Sequence, residues 1–288
     1  MAGRSLQILN GGNVSSSTVT SSGDAGKVEV RADQIYIDGK DSRFLPTGIF
    51  SYVDSGSTGE AGTVRVSANK VDVFHHGSIS TSNLGIGDAG NVWVKADTLN
   101  LSGSSFISTT TNTGDGGAIR VQGDILNLHD SGIETTAHSP GGNGGDIDVQ
   151  VDTLLLNTGL IQANAVSGHG GAIRLDVKTL MASGNTLNGK ELGSGNPFAV
   201  GRNEPRWQPH QFGNNIIQAV SQTGVNGTIS LSAPQLNLSG VLANLGAPDF
   251  DTGAISRDYC AIGGTSSLVV EGQGALPRRS RDLPLYGF

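Results

Sequence analysis

Cysteine is almost missing from this sequence. A single thiol, Cys260, serves 288 residues. No intrachain disulfide is therefore possible, and the fold must hold by packing and hydrogen bonds alone. Cys260 has no evident partner and reads as a small buried side chain rather than a reactive one. Aromatics are only 5% and charged residues only 15%. The net charge of −7 gives no electrostatic reason for a nucleic-acid partner, and none is expected. No apolar run reaches about 18 residues, so no segment crosses a membrane as a helix. The opening "MAGRSLQILNGG" lacks the apolar core of a secretion signal. His129, His138, His169 and His210 show no ligand spacing, and the adjacent His75 and His76 could not face one way on a strand. "GGNGGDIDV" (141–149) imitates a calcium-binding nonapeptide, but Asp148 stands at its apolar position and the nonapeptide does not recur. Neither a metal nor a cofactor is expected.

Glycine, by contrast, is abundant, with 44 residues and no Gly-X-Y period. It recurs in "GDAGKVEVRAD" at 23, "GEAGTVRVSAN" at 59 and "GDAGNVWVKAD" at 87. The second glycine of each turn falls at Gly26, Gly62, Gly90, Gly117, Gly145, Gly171 and Gly227. The steps are 36, 28, 27, 28, 26 and 56, and the last suggests two coils of which one has lost its glycine. A period near 27 is too short for helical repeats or propeller blades, and the consensus of leucine-rich repeats is missing.

After each glycine an apolar pair is spaced by two: Val28/Val30, Val64/Val66, Val92/Val94, Ile119/Val121, Ile147/Val149, Ile173/Leu175 and Ile229/Leu231. Such alternation of mostly β-branched and mostly polar residues is the pattern of a half-buried strand. A second strand follows (Ile35/Ile37, Val71/Val73, Leu99/Leu101, Leu126/Leu128, Leu236/Leu238), then a third beginning at Ile79, Ile107, Ile133, Ile161 and Ile217. Three short strands bury nothing alone, but stacked coil on coil they form a continuous apolar column. The expected fold is all-β: a right-handed parallel β-helix of about 27 residues per coil. Coils are expected over 1–182, a loop insertion over 183–214, the last coils over 215–245 and a tail or cap over 246–288. Gly-Asp-Ala-Gly marks a corner where positive φ or close stacking excludes side chains.

Outward positions suggest ladders. Arg120, Asp148 and Arg174 alternate in sign on successive coils, and Asn100 and Asn127 share one outward position. Asp88 and Asp115 are the best stacked carboxylate pair for glycoside hydrolysis, but their recurrence in corner turns points to Asp bonding its own backbone. No catalytic residue is assigned. The insertion is distinct. It gathers Phe198, Arg202, Arg206, Trp207, His210 and Phe212, residue types enriched where partners bind. It either carries recognition or folds back to cap the solenoid.

The reiterated "GDAGNVWVKADTLNLSGSSFIST" and "GDGGAIRVQGDILNLHDSGIETT" resemble coils of filamentous-haemagglutinin-type exoproteins, the secreted partners of bacterial two-partner secretion systems. The tail adds to the likeness. "DYCAIGGTSSLVVEGQGALP" (258–277) is similar to the C-terminal end of such proteins, with Gln273 where a basic residue is usual. The resemblance covers the C-terminal portion of the family; its N-terminal secretion domain is not matched. It implies a structural and adhesive rod, secreted and cell-surface associated. The implied partners are a host or neighbouring cell surface or glycan and, for the full-length protein, an outer-membrane secretion pore. The chain opens partway through a coil at Leu6 and Ile8, so self-association through that edge is also expected. The alternative is a carbohydrate-active β-helix enzyme or sugar-binding module.

Overall fold

A computed structural model describes residues 4–40, 42, 46–183 and 215–232. All of them lie in one compact unit, Met1–Leu236. The described residues are all-β. Parallel strands stack into a solenoid of about 6 turns, with about 28 residues per turn and no helix. In chain order the strands are β1 (Ser5–Leu9), β2 (Asn13–Thr18), β3 (Val28–Arg31), β4 (Gln34–Asp38), β5 (Thr47–Val53), β6 (Val64–Phe74) and β7 (Gly77–Asn83). There follow β8 (Val92–Ser102), β9 (Phe106–Thr111), β10 (Ile119–Ala137), β11 (Ile147–Ala165), β12 (Ile173–Ser183), β13 (Ile216–Gln218) and β14 (Ile229–Ser232).

The register joins equivalent residues of successive coils. Val28, Val64, Val92, Ile119, Ile147, Ile173 and Ile229 form one row. Val28 through Ile173 are buried, and Ile229 is partly covered. The second row stacks Ile35, Val71, Leu99, Leu126, Leu154 and Leu180. Ile49, Ile79, Ile107, Ile133, Ile161 and Ile217 line the third side, each wholly buried.

The step from Gly171 to Gly227 contains one coil, not two. β14 pairs directly with β12, and β13 with β11. The described chain of that coil ends on its second side at Ser183 and resumes on its third side with Ile216, which stacks on Leu160. The 36-residue step is likewise one coil, lengthened between β4 and β5.

Only one of the three corners is a tight glycine turn. β10 and β11 run through all three sides as 19-residue strands, bending while they stay paired. The bend from the second side to the third is made by a left-handed residue: Asn10 (φ 52°), Ser104 (φ 60°), Asp130 (φ 49°) and Thr158 (φ 57°). Glycine apart, Asn and Asp tolerate that conformation best, and the β-branched Thr158 is the costliest of the four. His75 and His76 occupy this bend with φ 47° and 66°, so they are corner residues and not strand residues.

At the glycine corner both reasons for glycine operate: the first glycine of the motif has positive φ at Gly59 (135°) and Gly87 (141°), whereas at the second glycine close approach excludes a side chain. None of Gly62, Gly90, Gly117, Gly145, Gly171 and Gly227 has positive φ. Each lies on the carbonyl oxygen of the equivalent glycine one coil back. A Cβ on Gly117 would sit 1.7 Å from the Gly90 oxygen, and one on Gly145 would sit 2.0 Å from the Gly117 oxygen. A buried hydroxyl column seals the corner from inside. Thr81 Oγ1 donates to the Gly90 carbonyl (2.6 Å), Thr109 to Gly117 (2.7 Å) and Thr135 to Gly145 (2.7 Å). Ser51 occupies the same column and donates to the Gly26 carbonyl at 3.1 Å.

Candidate functional site

The inward half of every strand is committed to the core, so any chemistry must sit on outward rows. On the first side, one outward row reads Glu29, Arg65, Trp93, Arg120, Asp148, Arg174 and Ser230. The next reads Arg31, Ser67, Lys95, Gln122, Gln150, Asp176 and Ser232. Between them runs a groove of about 310 Å³, lined by Glu29, Arg31, Arg65, Trp93, Lys95 and Arg120 among others.

Trp93 is the aromatic centre of this groove and is 37% exposed. The Arg65 guanidinium lies over its ring, 3.7 Å from the centroid, a cation–π contact. At the N-terminal end Glu29 is held by Lys27 and Arg31. Its carboxyl is pushed below the usual carboxylate range, first by the Lys27 hydrogen bond and then by the Arg31 charge. At the other end Arg120 Nε faces Asp148 Oδ2 at 3.5 Å. Lys95 is exposed and forms no ion pair among the described residues.

The expected charge ladder holds in part. Arg120 meets Asp148, but Arg174 turns to Asp146, 3.6 Å away. The expected amide ladder lies elsewhere. Asn100 and Asn127 are in register, but Asn100 Nδ2 donates to Asp72 Oδ1 (2.8 Å). Gln122 donates instead to Gln150 (3.0 Å), and the buried Gln162 to Gln218 (3.0 Å).

Asp88 and Asp115 do not bond their own backbone; they bond the next coil's. Asp88 Oδ1 accepts the Asp115 N–H (2.8 Å), and Asp115 Oδ1 accepts the Asn143 N–H (2.8 Å). Asp24 Oδ1 accepts from Glu60, and Asn143 Oδ1 from His169, in the same way. This is a stitch of side chains along the corner. It gives the recurrent Asp a structural task that only stacking reveals.

A second polar cluster lies on the second side. Asp38 accepts the Tyr36 hydroxyl (2.9 Å) and the backbone N–H of Lys40 (3.0 Å), with His75 Nδ1 at 3.0 Å. Burial pushes the Asp38 carboxyl up, but the hydrogen bonds from Lys40, His75 and Tyr36 outweigh it and hold the carboxyl below its ordinary value. The same contact, with burial, raises Tyr36. Tyr36 packs edge-on against Phe74, with centroids 5.6 Å apart. Among the described residues, no group of three His, Cys, Asp or Glu is placed to hold a metal ion.

The candidate recognition residues Phe198, Arg202, Arg206, Trp207, His210 and Phe212 lie outside the described residues, as do Cys260, Leu236 and Leu238. Sequence reasoning missed the Trp93 groove and saw only a polar row. A signal was present: a tryptophan at an outward position, in an aromatic-poor chain, with arginine at the same position one coil before and one coil after. Comparison of the chain with family models, with curated proteins and with solved structures returned no match.

Proposed function

We propose that this chain is a structural and adhesive solenoid belonging to a secreted, surface-associated bacterial exoprotein of the two-partner secretion type. The observation that carries this reading is the unbroken parallel stack. Each coil repeats the same inward column and offers its outward positions as rows open to a partner. That is the architecture of a presenting scaffold: a rigid, extended surface whose side chains change while its backbone does not. The resemblance of the coils and of the tail to haemagglutinin-type exoproteins supports the same reading. Its partners would be a cell surface or glycan and, for the whole protein, a secretion pore in the outer membrane.

The sugar-binding half of the alternative is favoured by one specific feature, the Trp93 groove. Its hydrolytic half is not. Glycoside hydrolysis uses two carboxylates about 5–9.5 Å apart. The described residues lining the groove include one carboxylate, Glu29, which Lys27 and Arg31 already hold. We therefore read the groove as a place of binding and not of turnover.

The test is adherence of the purified chain to bacterial and host cell surfaces and to glycan-coated beads, alongside an assay for release of reducing ends. Adherence without release is expected. A chain that adheres to no surface would overturn the adhesive reading, and sugar release would promote the enzymatic one.

A further inference from the structure

We infer that the groove across β3, β6, β8 and β10 binds an anionic polysaccharide, with one acidic sugar seated per rung. This rests on the adhesive reading above and names its ligand class. Each of four consecutive rungs puts one cation into the groove: Arg31, Arg65, Lys95 and Arg120. The chain as a whole carries a net charge of −7, so the groove reverses the sign of its surroundings.

Not all of that charge is spent internally. Glu29 is shared between Lys27 and Arg31, so that rung stays net positive. Arg65 is fixed by stacking on Trp93 rather than by a carboxylate. Lys95 has no ion-pair partner among the described residues. Trp93 supplies the exposed ring beside these charges, a surface on which the apolar face of a sugar can lie.

Spacing decides which polyanion fits. Rungs of a parallel stack repeat about every 4.8 Å. That is close to the advance of one residue in an extended pyranose chain, so a polyuronate would present one carboxylate per rung. Duplex nucleic acid carries about one charge per 1.7 Å and is denser than these cations, one per rung and divided between two adjacent rows.

The experiment measures binding of the full chain to polygalacturonate, to neutral dextran and to duplex DNA, by calorimetry and affinity electrophoresis. Expected are binding to polygalacturonate that weakens as salt screens it, and no binding to dextran. Lys95→Glu should weaken polygalacturonate binding at least tenfold with an unchanged melting curve, because Lys95 is exposed and bonds nothing that holds the fold. Trp93→Ala should weaken it comparably, and Trp207→Ala should not. Equal binding to dextran, preference for DNA, or full affinity in both Lys95→Glu and Trp93→Ala overturns the proposal. So does loss of binding in Trp207→Ala alone. If the chain adheres to cells and Lys95→Glu adheres equally, the groove assignment falls while the adhesive reading stands. If the chain adheres to no cell surface yet binds polygalacturonate through Lys95, the groove stands and the adhesive reading falls.

Discussion

Replacing Gly117 with alanine should be among the most damaging single changes in the protein, although it adds only one methyl group, at a buried corner. That methyl would lie 1.7 Å from the Gly90 oxygen and 2.6 Å from the Gly90 carbonyl carbon. Ordinary contact begins near 3.4 Å, so the two coils must part there by about 1.7 Å. Both clashing atoms are backbone, and no rotamer relieves them. Parting the corner stretches two bonds that cross the same seam: the Val92 N–H to Ala118 carbonyl bond (2.9 Å) and the Ala118 N–H to Asn91 Oδ1 bond (2.8 Å). Forced overpacking costs about 1–3 kcal/mol, and each hydrogen bond lost adds about 1 kcal/mol. The expected loss is roughly 3–5 kcal/mol. Gly23 is the control. It has a glycine's place in the same motif, no positive φ, and nothing within 4 Å of an added Cβ. Gly23→Ala should be neutral or stabilising by up to about 1 kcal/mol, through the unfolded chain. Urea unfolding followed by far-UV circular dichroism measures both. Hydrogen exchange across β9 and β10 locates the damage, since coupling in a solenoid is between neighbours. A Gly117→Ala midpoint equal to wild type, or equal losses at Gly23 and Gly117, would refute the stacking argument.

Three further outcomes follow from the geometry. Thr109→Val keeps the shape of a wholly buried side chain but removes the hydroxyl that serves the Gly117 carbonyl, and should cost about 1–3 kcal/mol in urea unfolding. Asp115→Ala removes the acceptor of the Asn143 backbone N–H and should cost about 0.5–1.5 kcal/mol, with most of the loss restored by Asp115→Asn because an amide oxygen also accepts. Asp38 should make stability depend on acid: its folded carboxyl titrates below the unfolded value of about 3.9. Its contribution is therefore complete above that pH and is lost as pH falls through the lower folded value. Unfolding midpoints of wild type and Asp38→Asn should thus differ at pH 6 and converge toward pH 3, and a gap that widens in acid would contradict this.

Much of this protein was legible in one dimension. Val28/Val30 and its six counterparts declare a strand by alternation alone, because one face of a sheet must be apolar and the other wet. The glycine period announces a stack, since one coil of short strands cannot bury its own apolar face. The place of Leu180 on the second side and of Ile216 on the third was legible from the same pattern. The third side was less clear, because its core includes Thr81, Thr109 and Thr135. Polar residues in a buried row look exposed until the glycine carbonyls they serve are known.

What only the tertiary structure decided is most of what passes between coils. Alternation within a coil is a property of about ten neighbouring residues. Register is a property of residues some 28 apart in the chain. Whether Gly171 lies beneath Gly227, whether Asp115 bonds its own turn or the Asn143 N–H, and whether glycine is needed for φ or for a carbonyl 1.7 Å away are all questions of register. The Trp93 groove is of the same kind. Arg65, Trp93 and Arg120 are each an outward residue of a separate coil. They become one surface because parallel pairing brings successive coils to within a strand spacing of each other, and no local pattern encodes which residues that pairing brings side by side.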